Sequence, residues 1–404
     1  MLTSDVSKRV VPLAAGITFG CDPEMFFSKG GKIIESGEIL PDKGMNDAGD
    51  DLGKADSYIS QYSAKVVRDG VQAELNPPAS GCRAAVINST ARLIMSLKEK
   101  VKQSGAEISF DSVVTLNKED LEKMSEAARV LGCLPSINVH DAKATVNVGK
   151  DFQTRSAGGH IHLGYYQVAG KKEQQDRLAI LMDILVGNTC VMIDRDPYAA
   201  ERRKTYGRAG EYRAPRHGFE YRTLSNFWLR SSQLMSFVFG MSRLACHVHA
   251  QANNPKAPAS TLGLGADPIT GKYTWDAVGT ELNGWNPEKE ILSRVNVADV
   301  AKAINTNDLE LAKKNWEPIR DFIDQHVPHM EAGLDTVKIP NFDYFLSEIE
   351  TKGIKRWFPL DPLEHWSTVS EGHGVGWEAW IEQCVDQVRA EEKIKALVEK
   401  YRSN

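Results

Sequence analysis

Four short stretches of this sequence alternate chargeable and apolar residues, and this alternation restricts the fold more than any other feature. Residues two apart in a β-strand point to the same face of a sheet. A sheet face rich in carboxylates is costly unless a charged partner lies against it. The alternation therefore predicts strands whose polar sides meet around a bound group. The residues paired in this way are Asp22 with Glu24, Gln72 with Glu74 and Asn76, His160 with His162, and Glu220 with Arg222.

The segments around these strands predict an α+β fold. Apolar residues at helical spacing indicate long helices over 171–193 and 230–251, with strands between them. The segment 252–275 is rich in Pro, Gly, Ala and Asn, which is typical of a long loop. Beyond it the pattern is mostly helical and ends in a charged amphipathic helix over 377–401. The predicted division is a catalytic domain over 1–252, a loop over 253–285 and a helical C-terminal cover region over 286–404.

Residues 202–222 carry a local excess of positive charge in a protein whose formal net charge is −5. We predict a basic loop here, because planar guanidinium groups suit the oxygens of a bound phosphate. Several carboxylates with an imidazole suit hard divalent cations such as Mg²⁺ or Mn²⁺. Metal-binding carboxylates beside phosphate-binding arginines would form a phosphoryl-transfer site. The cations of this segment are Arg202, Arg203, Lys204, Arg208, Arg213, Arg216 and Arg222.

Each of these signals also has a simpler explanation. An alternating strand is often the solvated face of an antiparallel sheet, and a basic loop can be a surface with internal ion pairs. His247 and His249 also lie two residues apart, but in a predicted helix their side chains diverge, so we interpret them as structural. The agreement between four strands and one loop is what favours a site.

Several function classes are disfavoured by the sequence. It has no Gly-x-Ser-x-Gly elbow, no phosphate-binding loop of the Walker type and no Gly-x-Gly-x-x-Gly fingerprint. The negative net charge argues against a whole-surface attraction to nucleic acid or to an anionic membrane. The six cysteines are too far apart for zinc-knuckle or redox spacings, so we expect reduced thiols and a cytoplasmic protein.

The motifs GCDPEMF, DGVQAELNPP, SAGGHIHLGY and GRAGEYRAPRHGFEYRTLSNFW resemble those of phage-associated carboxylate–amine ligases. These are the amidoligases of type 2, within the glutamine synthetase and glutamate–cysteine ligase superfamily. The resemblance implies a curved antiparallel sheet that forms a catalytic funnel with flanking helices. It implies an ATP- and Mg²⁺-dependent (or Mn²⁺-dependent) enzyme that joins a carboxylate to an amine through an acyl phosphate. For a phage-encoded enzyme it implies the host cytoplasm and small-molecule or peptide substrates.

The same resemblance implies which residues hold metal. Glu24 and Glu74 would ligate an ion near the acceptor carboxylate. Asp22, His160 and Glu220 would ligate an ion at the phosphates of ATP.

The remaining candidates would act on the nucleotide or the substrate. By the resemblance, Arg222 stabilises the transferring phosphoryl group, with Glu220 and Arg213 also in the catalytic group. The cations expected at the nucleotide are Arg203, Arg208, Arg213 and Arg222. The residues expected to touch substrate or to support the metal ligands are His162, Gln72 and Asn76.

Two other functions are compatible with these residues. A metal-dependent hydrolase or phosphatase could use the same carboxylates without ATP. A non-catalytic binding protein or virion component could retain the sheet without turnover. The sequence leaves the acid, the amine and the oligomeric state open.

Overall fold

The computed structural model of this protein has a mixed α+β fold with open antiparallel sheets, which confirms the predicted fold class. Most of the loop predicted over 252–275, and the whole helix predicted over 377–401, lie outside the described residues. The structure describes residues 17–53, 64–81, 83–129, 136–141, 153–194, 196–253, 285–326 and 358–371.

The first sheet holds His162 and Glu220, while His160 and Arg222 lie one residue beyond the ends of their strands. Its order is β1-β11-β13-β12-β9, and all neighbouring strands are antiparallel. Apolar residues of these strands face the core, which leaves the polar residues on the other side. The strands are β1 (Thr18–Cys21), β9 (Ile137–Asn138), β11 (Ile161–Gly164), β12 (Glu211–Arg213) and β13 (Gly218–Tyr221).

The second sheet holds Glu24 and Glu74. Its order is β3-β2-β6-β5-β4, with β7 also paired to β2, and β8 pairs with β10 in a separate ribbon. Pro23 lies between β1 and β2, so the chain passes from one sheet to the other at this residue. The strands are β2 (Glu24–Lys29), β3 (Lys32–Ile34), β4 (Met45–Asn46), β5 (Lys65–Asp69), β6 (Gln72–Asn76), β7 (Glu107–Ser109), β8 (Val113–Thr115) and β10 (Thr154–Ser156).

The predicted long helices are present, although one of them is interrupted. The helix expected over 171–193 contains a π-helical turn at Asp183–Gly187. The fully buried Asp183 carboxylate accepts from the Tyr221 hydroxyl at 2.6 Å and from Gly210 N at 3.0 Å, which ties the helix to the first sheet. The helices are α1 (Arg83–Gln103), α2 (Lys118–Lys123), α3 (Glu126–Arg129), α4 (Lys172–Met182), α5 (Asn188–Ile193), α6 (Ala199–Thr205), α7 (Ser232–Asn253), α8 (Pro287–Arg294), α9 (Val297–Thr306), α10 (Leu309–His326) and α11 (Pro362–Ser370).

The basic segment is not a simple loop. Its first residues form the end of α6 and its middle forms β12, so the loop predicted ahead of the strand that holds Glu220 is interrupted by two regular elements. Arg202, Arg203 and Lys204 lie in α6 and Arg213 lies in β12, whereas Arg208, Arg216 and Arg222 lie outside regular elements.

The helices after residue 285 share one hydrophobic core with the sheets and with α7. Asn188 donates to the carbonyl oxygen of Ala312 at 3.0 Å, and Arg177 pairs with Glu288. The predicted domain division stays a prediction, because the segment between α7 and α8 lies outside the described residues. Among the helices that the structure describes, none is both long and apolar enough to cross a bilayer.

Candidate active site

The first sheet aligns polar side chains in one row across three strands. His162 on β11 lies directly opposite Glu220 on β13, and Glu220 lies opposite Arg213 on β12. The neighbours Ile161 and Leu163 are fully buried on the core side. The alternation of the sequence thus places an imidazole, a carboxylate and a guanidinium on a single face.

Asp22 follows β1 and lies between the two histidines. Its Oδ1 is 3.0 Å from Nδ1 of His160, and its Oδ2 is 3.1 Å from Nε2 of His162. Burial alone would favour the neutral acid, but the two histidines outweigh it and hold the pKa of Asp22 well below its usual value. Asp22, His162 and Glu220 offer ligand atoms within 4.8 Å of one another, which suits a metal ion.

The second sheet forms a separate group of carboxylates. Glu24 on β2 lies opposite Glu74 on β6, and Asp69 at the end of β5 lies opposite Gln72. Ligand oxygens of Glu24, Asp69 and Glu74 lie within 4.8 Å of one another. Burial, followed by the charge of Asp22, raises the pKa of Glu74 to about 7. Burial, followed by Asp69, raises the pKa of Glu24 well above its ordinary range. A divalent cation would relieve this repulsion.

Gln72 and Asn76 support the second carboxylate group. The Gln72 amide donates to the carbonyl oxygen of Ser156 at 2.9 Å and to Oε2 of Glu24 at 3.4 Å. The Asn76 amide donates to Oε1 of Glu74 at 2.7 Å. Both amides therefore fix carboxylates in place, which agrees with one of the two roles expected for them.

The paired glycines of the His-x-His motif allow two close approaches. A Cβ on Gly158 would lie 2.6 Å from Nε2 of His160, and a Cβ on Gly159 would lie 2.3 Å from the carbonyl oxygen of Ser225. The Gly158 N–H donates to Oε2 of Glu24 at 2.7 Å. This turn therefore joins the two carboxylate groups through the backbone.

Glu220 is surrounded by cations. Nε of Arg213 donates to both of its oxygens, at 2.9 and 2.7 Å, and Nη1 of Arg222 donates to Oε1 at 2.8 Å. Arg222 also donates to the hydroxyl of Tyr206, and its guanidinium lies over the Tyr206 ring. Both arginines thus lie in fixed positions beside Asp22, His162 and Glu220, which we call the first metal group. Glu24, Asp69 and Glu74 form the second metal group.

The structure does not bring every predicted arginine to this cluster. Arg203 is buried in α6, where Nη1 donates to Oδ1 of Asn307 at 2.6 Å and its charge lies near Asp194. Asn307 and Asp194 thus engage this guanidinium, and the contact of Arg203 with a nucleotide stays a prediction. Arg208 is partly exposed and donates to the carbonyl oxygen of Lys204 at 3.1 Å. It remains a candidate for a bound phosphate.

Three residues at the site were missed in the sequence. Asp69 stands before a glycine and reads as a turn residue, yet hairpin pairing places it on the face of Glu74. Tyr206 contacts Nε2 of His160 at 2.7 Å, and His217 contacts Nδ1 of His162 at 3.3 Å. Of these three, only Asp69 could have been placed from the sequence. A two-residue turn joins β5 and β6, and such a turn fixes Gln72 as the residue opposite Asp69.

Comparison with known proteins shows a similarity in the central segment of the chain. Residues 136–261 match the family model described as phage phiEco32-like COOH.NH2 ligase-type 2. This match supports the resemblance for the motifs SAGGHIHLGY and GRAGEYRAPRHGFEYRTLSNFW, which lie inside the matched residues and contain His160, Glu220 and Arg222. The motifs GCDPEMF and DGVQAELNPP lie outside them. A search of curated proteins found no significant match.

Metal binding should become stronger as the pH rises through neutrality. With its pKa near 7 instead of 4.5, the metal-free Glu74 contributes stability below about pH 5 that is lost as the pH rises through 7. A cation needs the charged carboxylate, so metal-linked stabilisation should grow over the same interval. At a hundredfold excess over Kd it should reach about 2.7 kcal/mol.

Thermal melting with and without Mg²⁺ or Mn²⁺, from pH 5 to 8, checks this prediction. Glu74→Gln should reduce the shift and its pH dependence, whereas Glu122→Gln on the exposed part of α2 should leave both unchanged. A metal-induced shift that is equal at both ends of this range would contradict the assignment of Glu74.

Proposed function

We propose that this protein is an ATP-dependent carboxylate–amine ligase that works with two divalent cations. The observation that supports this proposal most strongly is that two groups of possible metal ligands lie on either side of Pro23. Asp22 belongs to one group and Glu24 belongs to the other. The donor sets fit the cations, since buried carboxylates and imidazole are their usual ligands. The family match, whose name describes a COOH.NH2 ligase, supports this class of reaction.

The arginines next to the first group fit a phosphoryl-transfer role. When bound, ATP supplies the phosphoryl group and the cations neutralise its oxygens. Arg222 is almost fully buried and already oriented by Glu220 and Tyr206, so it needs little reorganisation to stabilise developing charge. Arg208 and the partly exposed Arg213 are the cations available for the ground-state phosphates.

The reaction that we propose has two displacement steps. A carboxylate oxygen of the first substrate bonds to the terminal phosphorus, and ADP leaves. The amine nitrogen of the second substrate then bonds to the acyl carbon, phosphate leaves and the nitrogen loses a proton. We propose small-molecule or peptide-borne substrates and a cytoplasmic location.

Hydroxylamine tests the acyl phosphate, because a strong small nucleophile can replace the natural amine. With ATP, Mg²⁺ and a panel of candidate carboxylates, we expect a hydroxamate, detected by mass, together with an equal amount of ADP. AMP with pyrophosphate would instead indicate adenylation of the acid. Turnover of a phosphate ester or an amide without nucleotide would favour the hydrolase.

A further inference from the structure

Two histidine nitrogens approach the two oxygens of one buried carboxylate. Nδ1 of His160 and Nε2 of His162 lie 3.0 and 3.1 Å from the oxygens of Asp22. Among the described residues, these two nitrogens and Oδ1 of Asp22 are buried and have no partner with hydrogen-bond geometry. His160 is 2% exposed and Asp22 is 7% exposed. A buried carboxylate with an imidazole nitrogen close to each of its oxygens is a donor set that suits a cation.

The other nitrogen of each imidazole is held by a second residue. Nε2 of His160 lies 2.7 Å from the hydroxyl of Tyr206, and Nδ1 of His162 lies 3.3 Å from Nε2 of His217. Histidines that ligate metals almost always use their second nitrogen in this way, which fixes the ring and its tautomer. Both histidines of the motif therefore have the surroundings of a metal ligand.

We propose that His160 and His162 ligate one metal ion together with Asp22, and that Tyr206 and His217 are positioning residues that hold the two rings. This deepens the proposed function, because it assigns the ion of the first metal group. It changes the role that the resemblance gives to His162, from supporting residue to ligand. Glu220 is engaged by two arginines and borders the ion, since its Oε1 is 3.7 Å from Nδ1 of His160.

The two metal groups should then prefer different ions. A ligand set with two imidazoles favours a transition-metal ion such as Mn²⁺ over Mg²⁺, which prefers oxygen. Glu24, Asp69 and Glu74 offer only carboxylate oxygens, so the second group suits Mg²⁺. An excess of Mg²⁺ should displace Mn²⁺ from the second group and leave it in the first.

Pulsed electron paramagnetic resonance of the full chain, first with Mn²⁺ alone and then with an excess of Mg²⁺, tests the ligand set. In the presence of excess Mg²⁺, the remaining Mn²⁺ should show nitrogen couplings from two imidazoles. His160→Asn and His162→Asn should each remove one coupling. Bound Mn²⁺ without nitrogen coupling, or with coupling that only one of the variants removes, would overturn the proposal.

Tyr206→Phe tests the positioning role. Loss of such an outer contact should weaken Mn²⁺ binding about 10- to 100-fold. Because Tyr206 acts through His160, Tyr206→Phe combined with His160→Asn should bind no more weakly than His160→Asn alone. Tyr198→Phe, at the half-exposed start of the same helix, should bind like the wild type. Additive losses in the double variant would overturn the role of Tyr206.

Neither measurement requires turnover, so this proposal and the ligase proposal can fail separately. A protein that shows two nitrogen couplings but forms no hydroxamate retains the metal assignment and loses the proposed reaction. A protein that forms hydroxamate while its Mn²⁺ lacks nitrogen coupling retains the reaction and loses the two-histidine site.

Discussion

Replacing Arg222 with alanine should reduce hydroxamate formation about 10³-fold or more, the usual worth of an arginine at a transferring phosphoryl group. Its guanidinium is 1% exposed and is fixed between Oε1 of Glu220 and the hydroxyl of Tyr206. A donor fixed in this way stabilises charge in the transition state without a free-energy cost of reorientation. Nucleotide binding should weaken much less, since only differential binding of the transition state changes the chemical step.

Two further variants separate this effect from loss of the fold. Arg222→Lys retains the charge but cannot span Glu220 and Tyr206 together, so the rate should recover only in part. Arg216→Ala removes an exposed arginine from the same segment and should leave the rate within about twofold, because exposed ion pairs contribute little. A wild-type rate in Arg222→Ala, with the protein folded, would contradict the role assigned to this arginine.

The alternation of polar residues predicted which side chains share one face of a sheet. His162 and Glu220 lie opposite each other on neighbouring strands. In each strand the adjacent residues are buried in the core, so both polar side chains point to the other face of the sheet. The same rule fails at Asp22 and Glu24. Pro23 moves the chain from one sheet to the other, so these two carboxylates fall in separate metal groups. Spacing alone could not reveal this change of sheet.

The arginines show a second limit of the sequence. Arg202 and Arg203 are adjacent in α6, and successive residues of a helix point about 100° apart. Arg202 lies over the Tyr206 ring near the site, whereas Arg203 reaches Asn307. A count of positive charges in the sequence does not distinguish the two arginines. The rotation of the helix relative to the elements packed against it decides which arginine faces the site. Tyr206 was not predicted because its contact with His160 joins residues that are distant in the sequence.

Alanine at Gly158 and alanine at Gly159 should have different effects, although the two glycines are adjacent. A Cβ on Gly159 would lie 2.3 Å from the carbonyl oxygen of Ser225 and 2.5 Å from Nε1 of the fully buried Trp228. Neither atom can move without disturbing backbone or core. Gly159→Ala should therefore cost about 3 kcal/mol of unfolding free energy, at the upper end for overpacking. In a chain of 404 residues, whose unfolding entropy is correspondingly large, the melting temperature should fall by about 3–4 °C.

A Cβ on Gly158 meets only the ring of His160, at 2.6 Å from Nε2 and 2.9 Å from Cε1. A side chain can rotate away, so the fold should lose less stability than in Gly159→Ala. The rotation would break the contact with Tyr206 and withdraw Nδ1 from Asp22, so Mn²⁺ affinity should fall about 10- to 100-fold.

Gly81→Ala is the matched control for both, because its Cβ would meet nothing closer than 3.7 Å. It should change neither the melting temperature nor Mn²⁺ binding by a comparable amount. Melting curves and Mn²⁺ titrations of the three variants separate the two glycines. If Gly158→Ala loses as much stability as Gly159→Ala while binding Mn²⁺ normally, the paired glycines serve only the fold, and the close approach of His160 is not needed to hold the ion.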